Sequence, residues 1–397
     1  MRRPSVFTEA DRAAMARAIA LAERGLETTQ PNPRVGCVLT HEGKIVGEGW
    51  HERAGEPHAE INALHAAGSG AEGATAYVTL EPCSHHGRTP PCVEALIAAR
   101  VARVIFALED PNPLVSGRGA AALRRAGIEV DSGLLAAQAA ELNPGFLKRM
   151  RLGRPWVRVK LAMSLDGRTA LANGVSQWIT GPDARLDVHQ WRARSSAIMT
   201  GIGTVLADDP QLNVRLPAPA AGRARLQPLR VVLDPRLKTP PSARLLTTGG
   251  GVLIMTTAGR GEAEAEFAAR AAPLIAQGAE IEQVPASVEG STAPEGEGAS
   301  RIGLSLTDVL DRLGRREVNE LWVEAGPRLA GALLHQRLID ELIVYVAPKL
   351  LGPQARPLIE MGELRNLQDA PHFHVVDSRQ IGQDVRLRLR PVTMGES

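Results

Sequence analysis

Four residues between positions 58 and 92 have the types and order of a catalytic metal centre. Pro57-His58-Ala59-Glu60 is answered by Glu81-Pro82-Cys83 and then by Pro91-Cys92. One imidazole and two thiolates can hold Zn²⁺ tetrahedrally and leave a fourth position for water, whose pKa falls from about 15.7 to about 7 in such sites. Glu60 is not needed as a ligand. Two residues beyond His58, it can carry a proton from that water to a substrate nitrogen and on to a departing amine. A purely structural zinc knot would need a fourth protein ligand, for which His85 or His86 is at hand.

The order resembles that of the zinc nucleobase deaminases, with their H-x-E followed by P-C-x-x-C. Here the thiols are separated by Ser84-His85-His86-Gly87-Arg88-Thr89-Pro90. This longer loop holds a glycine, a cation and two imidazoles, which suit an anionic substrate, and it reads as a substrate-phosphate loop.

A second set of residues lies far downstream. Glu320-Leu321-Trp322-Val323-Glu324-Ala325-Gly326-Pro327-Arg328-Leu329-Ala330-Gly331 reads as strand, tight turn and helix. That layout points helix N–H groups at a pyrophosphate, or is simply a structural turn. Gly201-Ile202-Gly203 also follows a strand, but Leu206 takes the third glycine position, so a Rossmann fingerprint is absent. Lys160, Ser164 to Arg168, Ser176 to Thr180 and Asp208-Asp209-Pro210 either line a cleft or serve as turn formers.

The elements that must position these groups alternate as in an α/β protein. Thr8 with Asp11 caps a helix reaching Arg24. Strands follow at Val35 to Thr40 and Lys44 to Trp50, then helix 58–67, strand 76–80, helix 91–100, strand 103–108, helix 119–126, strand 128–130 and helix 134–142. Pro57 and Pro91 suit first helical positions, which would put His58 and Cys92 at helix N-termini, where a thiolate is favoured. The basic stretch Lys148 to Arg151 reads as a connector, dividing the chain into residues 1–150 and 151–397. Beyond it, strands are expected at 156–162, 197–200, 230–234, 252–255, 320–325 and 341–347, and helices at 183–195, 261–276, 306–314 and 327–337. A hairpin is expected at 373–377 and 384–389. Runs rich in Ala, Pro, Gly, Ser and Glu at 217–227 and 286–303 read as surface loops.

Bulk properties narrow the classes. A chain of 397 residues exceeds one ordinary core. A net charge of +2 with 3% aromatic residues argues against a nucleic-acid stacking platform. No run of about 18 apolar residues suggests a membrane span, and Met1-Arg2-Arg3-Pro4-Ser5 leads into a charged helix rather than a secretory segment. Three cysteines cannot build a disulfide framework. Cys37, in an apolar run, reads as a buried thiol, and a reducing cytoplasm suits all three.

Taken together, these segments resemble, over nearly the whole length, the bifunctional riboflavin-biosynthesis deaminase/reductases. The matching runs are Pro31 to Val38, Gly49-Trp50-His51, His58-Ala59-Glu60, the loop from Pro82 to Cys92, Lys160 through Gly167, Ser176 to Thr180, Ala207 to Pro210 and Val323 to Gly331. The resemblance implies two α/β domains: a cytidine-deaminase-like three-layer α/β/α domain and a dihydrofolate-reductase-like one. It implies zinc-dependent loss of the 2-amino group from 2,5-diamino-6-(5-phosphoribosylamino)pyrimidin-4-one, then reduction of the product's ribosyl group to ribityl by NADPH. By position His58, Cys83 and Cys92 bind zinc, Glu60 is the proton shuttle, and Asn32, His51, Arg88, Asp110 and Asn112 contact this first substrate. Ala162, Trp178, Thr204, Asp208 and the loop Gly326, Pro327, Arg328, Leu329, Ala330, Gly331 and Ala332 fall on cofactor positions. Ser176, Arg192, Leu212, Arg215 and Glu324 fall on substrate positions, the two arginines suiting a 5-phosphate, and Lys160 positions or polarises the opened sugar. The expected partners are small pyrimidine ribose phosphates, with no nucleic acid or membrane, in a cytoplasmic homo-oligomer.

Two rival classes make different demands. A nucleic-acid base deaminase with an appended binding domain wants a basic, aromatic-rich face and a short Cys-x-x-Cys, and the chain has neither. A catalytically silent binding module has no reason to keep three ligands together with Glu60.

Overall fold

A reciprocal capping box starts the first helix. The Thr8 hydroxyl accepts from the Asp11 amide, and the Asp11 carboxylate accepts from the Thr8 amide. The computed structural model describes residues 7–84, 91–112, 115–217, 225–257, 263–288 and 302–392. Its two compact units are Met1–Gly153 and Arg154–Ser397.

The first unit runs α1 (Glu9–Ala22), β1 (Gly36–His41), β2 (Lys44–Trp50), α2 (Ala59–Ala67), β3 (Thr75–Val78), α3 (Cys92–Ala98), β4 (Arg103–Phe106), α4 (Arg118–Arg125), β5 (Glu129–Ser132), α5 (Ala136–Leu142) and α6 (Pro144–Leu152). Its sheet has the order β2-β1-β3-β4-β5, antiparallel at β2-β1-β3 and parallel from β3 to β5. Alternation of side chains along each strand feeds two cores. Cys37, Leu39, Ala76, Val78, Val104 and Phe106 pack with residues of α2, α3 and α4. Val38, Tyr77 and Ile105 pack with Met15, Ala18 and Leu21 of α1 and Ala139 of α5. Three layers follow from that division.

The second unit comprises β6 (Trp156–Ser164), β7 (Arg168–Ala170), α7 (Pro182–Arg194), β8 (Ala197–Gly201), α8 (Ile202–Asp208), β9 (Leu229–Leu233), α9 (Arg244–Thr247), β10 (Val252–Thr256), α10 (Glu264–Ala276), β11 (Ala279–Gln283), β12 (Ala286–Val288), β13 (Ile302–Leu304), α11 (Leu306–Arg315), β14 (Glu320–Glu324), α12 (Pro327–His335), β15 (Glu341–Ala347), β16 (Arg356–Pro357), β17 (Phe373–Ile381) and β18 (Asp384–Pro391). Nine strands form one sheet, β11-β10-β9-β8-β14-β6-β15-β18-β17. It is parallel from β11 to β15 and closes with the antiparallel strands β18 and β17. One face carries α11 and α12 over Val157, Val159, Leu321 and Val323. The other carries α7 over Ile198, Trp322, Ile343 and Tyr345, and α10 over Val232 and Ile254.

Several expectations need correction. Pro57 is not the first helical residue: His58 is the N-cap of α2, and Pro91 is the N-cap of α3, so only Cys92 opens its helix. Lys148 to Arg151 lie within α6, whose Phe146 and Leu147 are buried with Leu80. The run 286–303 is not all loop, because Ala286–Val288 pairs antiparallel with Ile302–Leu304; residues 289–301 and 218–224 lie outside the described residues.

Candidate functional site

The metal-site residues arrive from three chain segments. His58 sits at the mouth of α2, Cys83 follows β3, and Cys92 starts α3. His58 Nδ1 lies 3.2 Å from Cys92 Sγ and 3.6 Å from Cys83 Sγ, and the three ligand atoms all lie within 4.8 Å of one another. Bonds of 2.0–2.3 Å to a tetrahedral zinc would separate its donors by roughly 3.3–3.8 Å, so the donor set fits that ion. The Cys92 amide, 3.3 Å from Cys83 Sγ, adds a donor to the same sulfur. A hydrogen bond from Cys92 holds Cys83 down to about 4, while the same bond and burial push Cys92 up. Releasing both protons calls for a cation between the sulfurs.

Glu60, in the first turn of α2, is 3% exposed. Burial pushes its carboxyl up to about 6 against the pull of His58, which puts it near the range of a proton carrier at neutral pH. His51 packs edge-on against His58, with ring centroids 5.3 Å apart. Its Nδ1–H donates to the Pro57 carbonyl at 3.1 Å, so its Nε2 accepts from the Asn32 amide at 3.1 Å. Burial lowers the His51 pKa, which keeps that neutral form. Asp110 is buried, and its Oδ1 accepts from the Asn112 amide at 2.9 Å. Arg88 lies outside the described residues. Glu81 is not among the site residues expected from the sequence. It is buried, and three backbone amides of the 110–120 segment point at its carboxylate. An acidic residue two positions before a metal ligand is the only signal a sequence offers for that.

In the second unit the predicted residues collect at the carboxyl ends of parallel strands, the usual ligand edge of such sheets. Glu324 ends β14 directly opposite Lys160 of β6. Arg192 of α7 grips Glu324 with two bonds, of 2.5 and 2.8 Å, and donates a third to the Asn213 carbonyl at 2.9 Å. Arg192 is thus buried, and its guanidinium is paired with a carboxylate. Arg215 is exposed; its guanidinium bonds Gln211 and Asn213, and its backbone amide meets His189 Nδ1 at 3.2 Å. Leu212 is buried, with a φ of 48°. Burial opposes the charge on Glu324, but Arg192, Lys160 and the Trp322 indole N–H, 2.7 Å from Oε1, bring its carboxyl down to about 2. Burial lowers Lys160. Trp322 and His189 were not foreseen, since an indole in a strand and a histidine on a helix read as core and surface.

The cofactor positions are spread around the same edge. Gly326 is the N-cap of α12 and has no side chain with which to cap it, and first-turn amides of a helix are groups that an anion can satisfy. Gly331 allows the Glu360 backbone to lie against α12, where the Glu360 amide donates to the Pro327 carbonyl at 3.1 Å. Thr204 and Asp208 lie one turn apart on α8, Ala162 lies on β6, and Trp178 stays 62% exposed beneath the Arg185 guanidinium at 4.5 Å. Ser176 is half-buried in the loop before α7.

Residues 8–108 match the family model of the cytidine and deoxycytidylate deaminase zinc-binding region, and residues 155–387 match that of the RibD C-terminal domain. Riboflavin biosynthesis protein RibD of Escherichia coli (strain K12) is 50% identical over 382 residues, covering 94% of this chain and 98% of that protein. The chain belongs to the RibD family. RibD of Haemophilus influenzae is 46% identical, with 97% of this chain and 98% of that protein covered. Among solved structures, RibD of Acinetobacter baumannii superposes with a TM-score of 0.85 at 44% identity, covering 97% and 99% of the two chains. A diaminohydroxyphosphoribosylaminopyrimidine deaminase/5-amino-6-(5-phosphoribosylamino)uracil reductase from Thermotoga maritima does so at 0.79 and 31%, covering 96% and 99%. This RibD family member is a bifunctional enzyme of riboflavin biosynthesis, a hydrolase by its deaminase half and an oxidoreductase by its reductase half. Its cofactors are zinc and NADPH, and its substrates are small pyrimidines. Among the described residues, no helix is long and apolar enough to cross a membrane.

Proposed function

We propose that RibD chemistry is distributed over this chain as two consecutive steps, deamination in residues 1–150 and reduction in residues 151–397. The observation that carries the first step is the convergence of His58, Cys83 and Cys92 beside the buried Glu60. When bound there, zinc supplies the Lewis acidity that makes a water nucleophilic near neutral pH. Glu60 would take one proton from the attacking water and pass it to a pyrimidine ring nitrogen, then carry the second proton of that water from the new C2 hydroxyl to the 2-amino group, so that ammonia leaves and a C2 carbonyl remains. Asn32, Arg88, Asp110 and Asn112 hold the pyrimidine or its ribose phosphate, and His51 orients Asn32.

In the second step the amides of Gly326 to Ala332, with Ala162, Trp178, Thr204 and Asp208, hold NADPH. Ser176, Arg192, Leu212, Arg215 and Glu324 contact the substrate, and Arg192 also fixes Glu324 opposite Lys160 at the sugar. The protein's part is alignment, since the hydride chemistry belongs to the cofactor. A net charge of +2 and 3% aromatic residues support a partner list without nucleic acid. Free Cys37, Cys83 and Cys92 support a reducing cytoplasm, and the working form is taken to be a homo-oligomer.

The test is to incubate zinc-loaded protein with the diaminopyrimidine phosphate, with and without NADPH, and to resolve products by mass. Ammonia release without NADPH, followed by a two-hydrogen gain with it, is the expected result. Reduction with no prior deamination, or neither reaction, contradicts the assignment.

A further inference from the structure

We infer that Glu81 is a positioning residue of the deaminase half, whose carboxylate fastens the loop bearing Asp110 and Asn112 to the segment bearing the metal ligand Cys83. Glu81 stands two residues before Cys83, and its own amide donates to the Leu108 carbonyl at 2.8 Å, which places it at the junction of the two segments. The side chain is 3% exposed. Its Oε1 accepts from the Ala120 amide at 3.0 Å. Its Oε2 accepts from the Gly117 amide at 3.0 Å and from the Asp110 amide at 3.4 Å.

Gly117 is the N-cap of α4 and Ala120 lies in its first turn, so Glu81 satisfies amides that a helix leaves unpaired. A local Ser or Asp would do that as well. A carboxylate from 36 positions earlier also ties the helix to another part of the site. The tie is tight: a Cβ at Gly119 would overlap the Pro82 carbonyl oxygen and meet Glu81 Oε1 at 3.1 Å. The Asp110 amide shares the oxygen that holds Gly117, and the Asp110 carboxylate in turn holds the Asn112 amide. Moving Glu81 therefore moves the backbone of both proposed substrate contacts, while His58, Cys83 and Cys92 keep their own contacts with one another.

The inference rests on the reading of Asp110 and Asn112 as substrate contacts, and two variants of the full-length, zinc-loaded enzyme separate the two. In E81Q an amide NH₂ faces a backbone N–H, which removes at least one of these bonds. The expected result is a KM for the diaminopyrimidine phosphate raised roughly tenfold, with kcat and zinc content within about twofold of wild type and reductase activity unchanged. An unchanged KM in E81Q, alongside a raised KM in N112A, overturns the inference alone; an unchanged KM in both overturns the reading and the inference together. A folded E81Q that loses zinc, or falls only in kcat, assigns Glu81 to the metal or the chemical step and also overturns it. Should E81Q fail to fold, E81D, which keeps the charge on a shorter arm, decides by the same readouts.

Discussion

Glu60 and Glu324 show how burial alone does not set a carboxyl group's role. Both are withdrawn from water, yet Glu60 is pushed up to about 6 and Glu324 is brought down to about 2. The difference lies in their partners. His58 offsets only part of the burial cost at Glu60, while Arg192, Lys160 and Trp322 surround Glu324. E60Q is accordingly expected to lower ammonia release by roughly 10²- to 10⁴-fold, with zinc content and NADPH oxidation on the deaminated substrate intact. Undiminished ammonia release would falsify the shuttle role. Glu324 yields a prediction about acid stability. Its folded pKa lies below the unfolded value of about 4.3, so its pairing with Arg192 stabilises the fold fully above that pH and progressively less toward about 2. The stability gap between wild type and E324Q, measured by urea unfolding, should therefore shrink as pH falls from about 5 to about 2. A constant gap would show that the ion pair contributes nothing specific.

The helices do more than fill layers, because their first turns carry residues proposed for the two sites. Cys92 opens α3, Glu60 lies in the first turn of α2, and Gly326 leaves the first turn of α12 without a side-chain cap. Where α12 sits depends on the close approach of the Glu360 backbone at Gly331. A methyl group there would overlap the Glu360 carbonyl, so G331A should cost about 1–3 kcal/mol of stability by overpacking. It should also weaken NADPH binding while leaving ammonia release unchanged. Thermal unfolding and an NADPH titration check it, and wild-type values in both would show that the helix can shift freely. These helices and the strands before them were legible in the sequence, because apolar periodicity and capping residues such as Thr8 and Asp11 act locally. The short pieces were not: β7, β16 and α9 have too few residues to display a period. Pro57 misled because proline suits both the position before a cap and the first helical turn, and only the backbone at His58 separates the two.

At the scale of the whole molecule, the two units each hold their own core and their own candidate site. A zinc chelator is therefore expected to abolish ammonia release while leaving NADPH consumption on the deaminated intermediate within about twofold, and added zinc should restore the first activity. Parallel loss of both activities would mean that the metal supports the entire fold. The donor set His58, Cys83 and Cys92 and the alternation of helix and strand could be read from the chain, because ligand chemistry and hydrophobic period reside in residue types and their spacing. Which groups meet could not, because pairing depends on how distant segments are brought together. Arg192 and Glu324 read as separate substrate positions until α7 is laid across β14 and the guanidinium meets the carboxylate, 132 positions away. Glu81 reads as part of a motif until α4 is folded onto it. Spacing along the chain names the candidate atoms, but the energy of a buried charge depends on its three-dimensional neighbours, and that is where these two side chains acquired their partners.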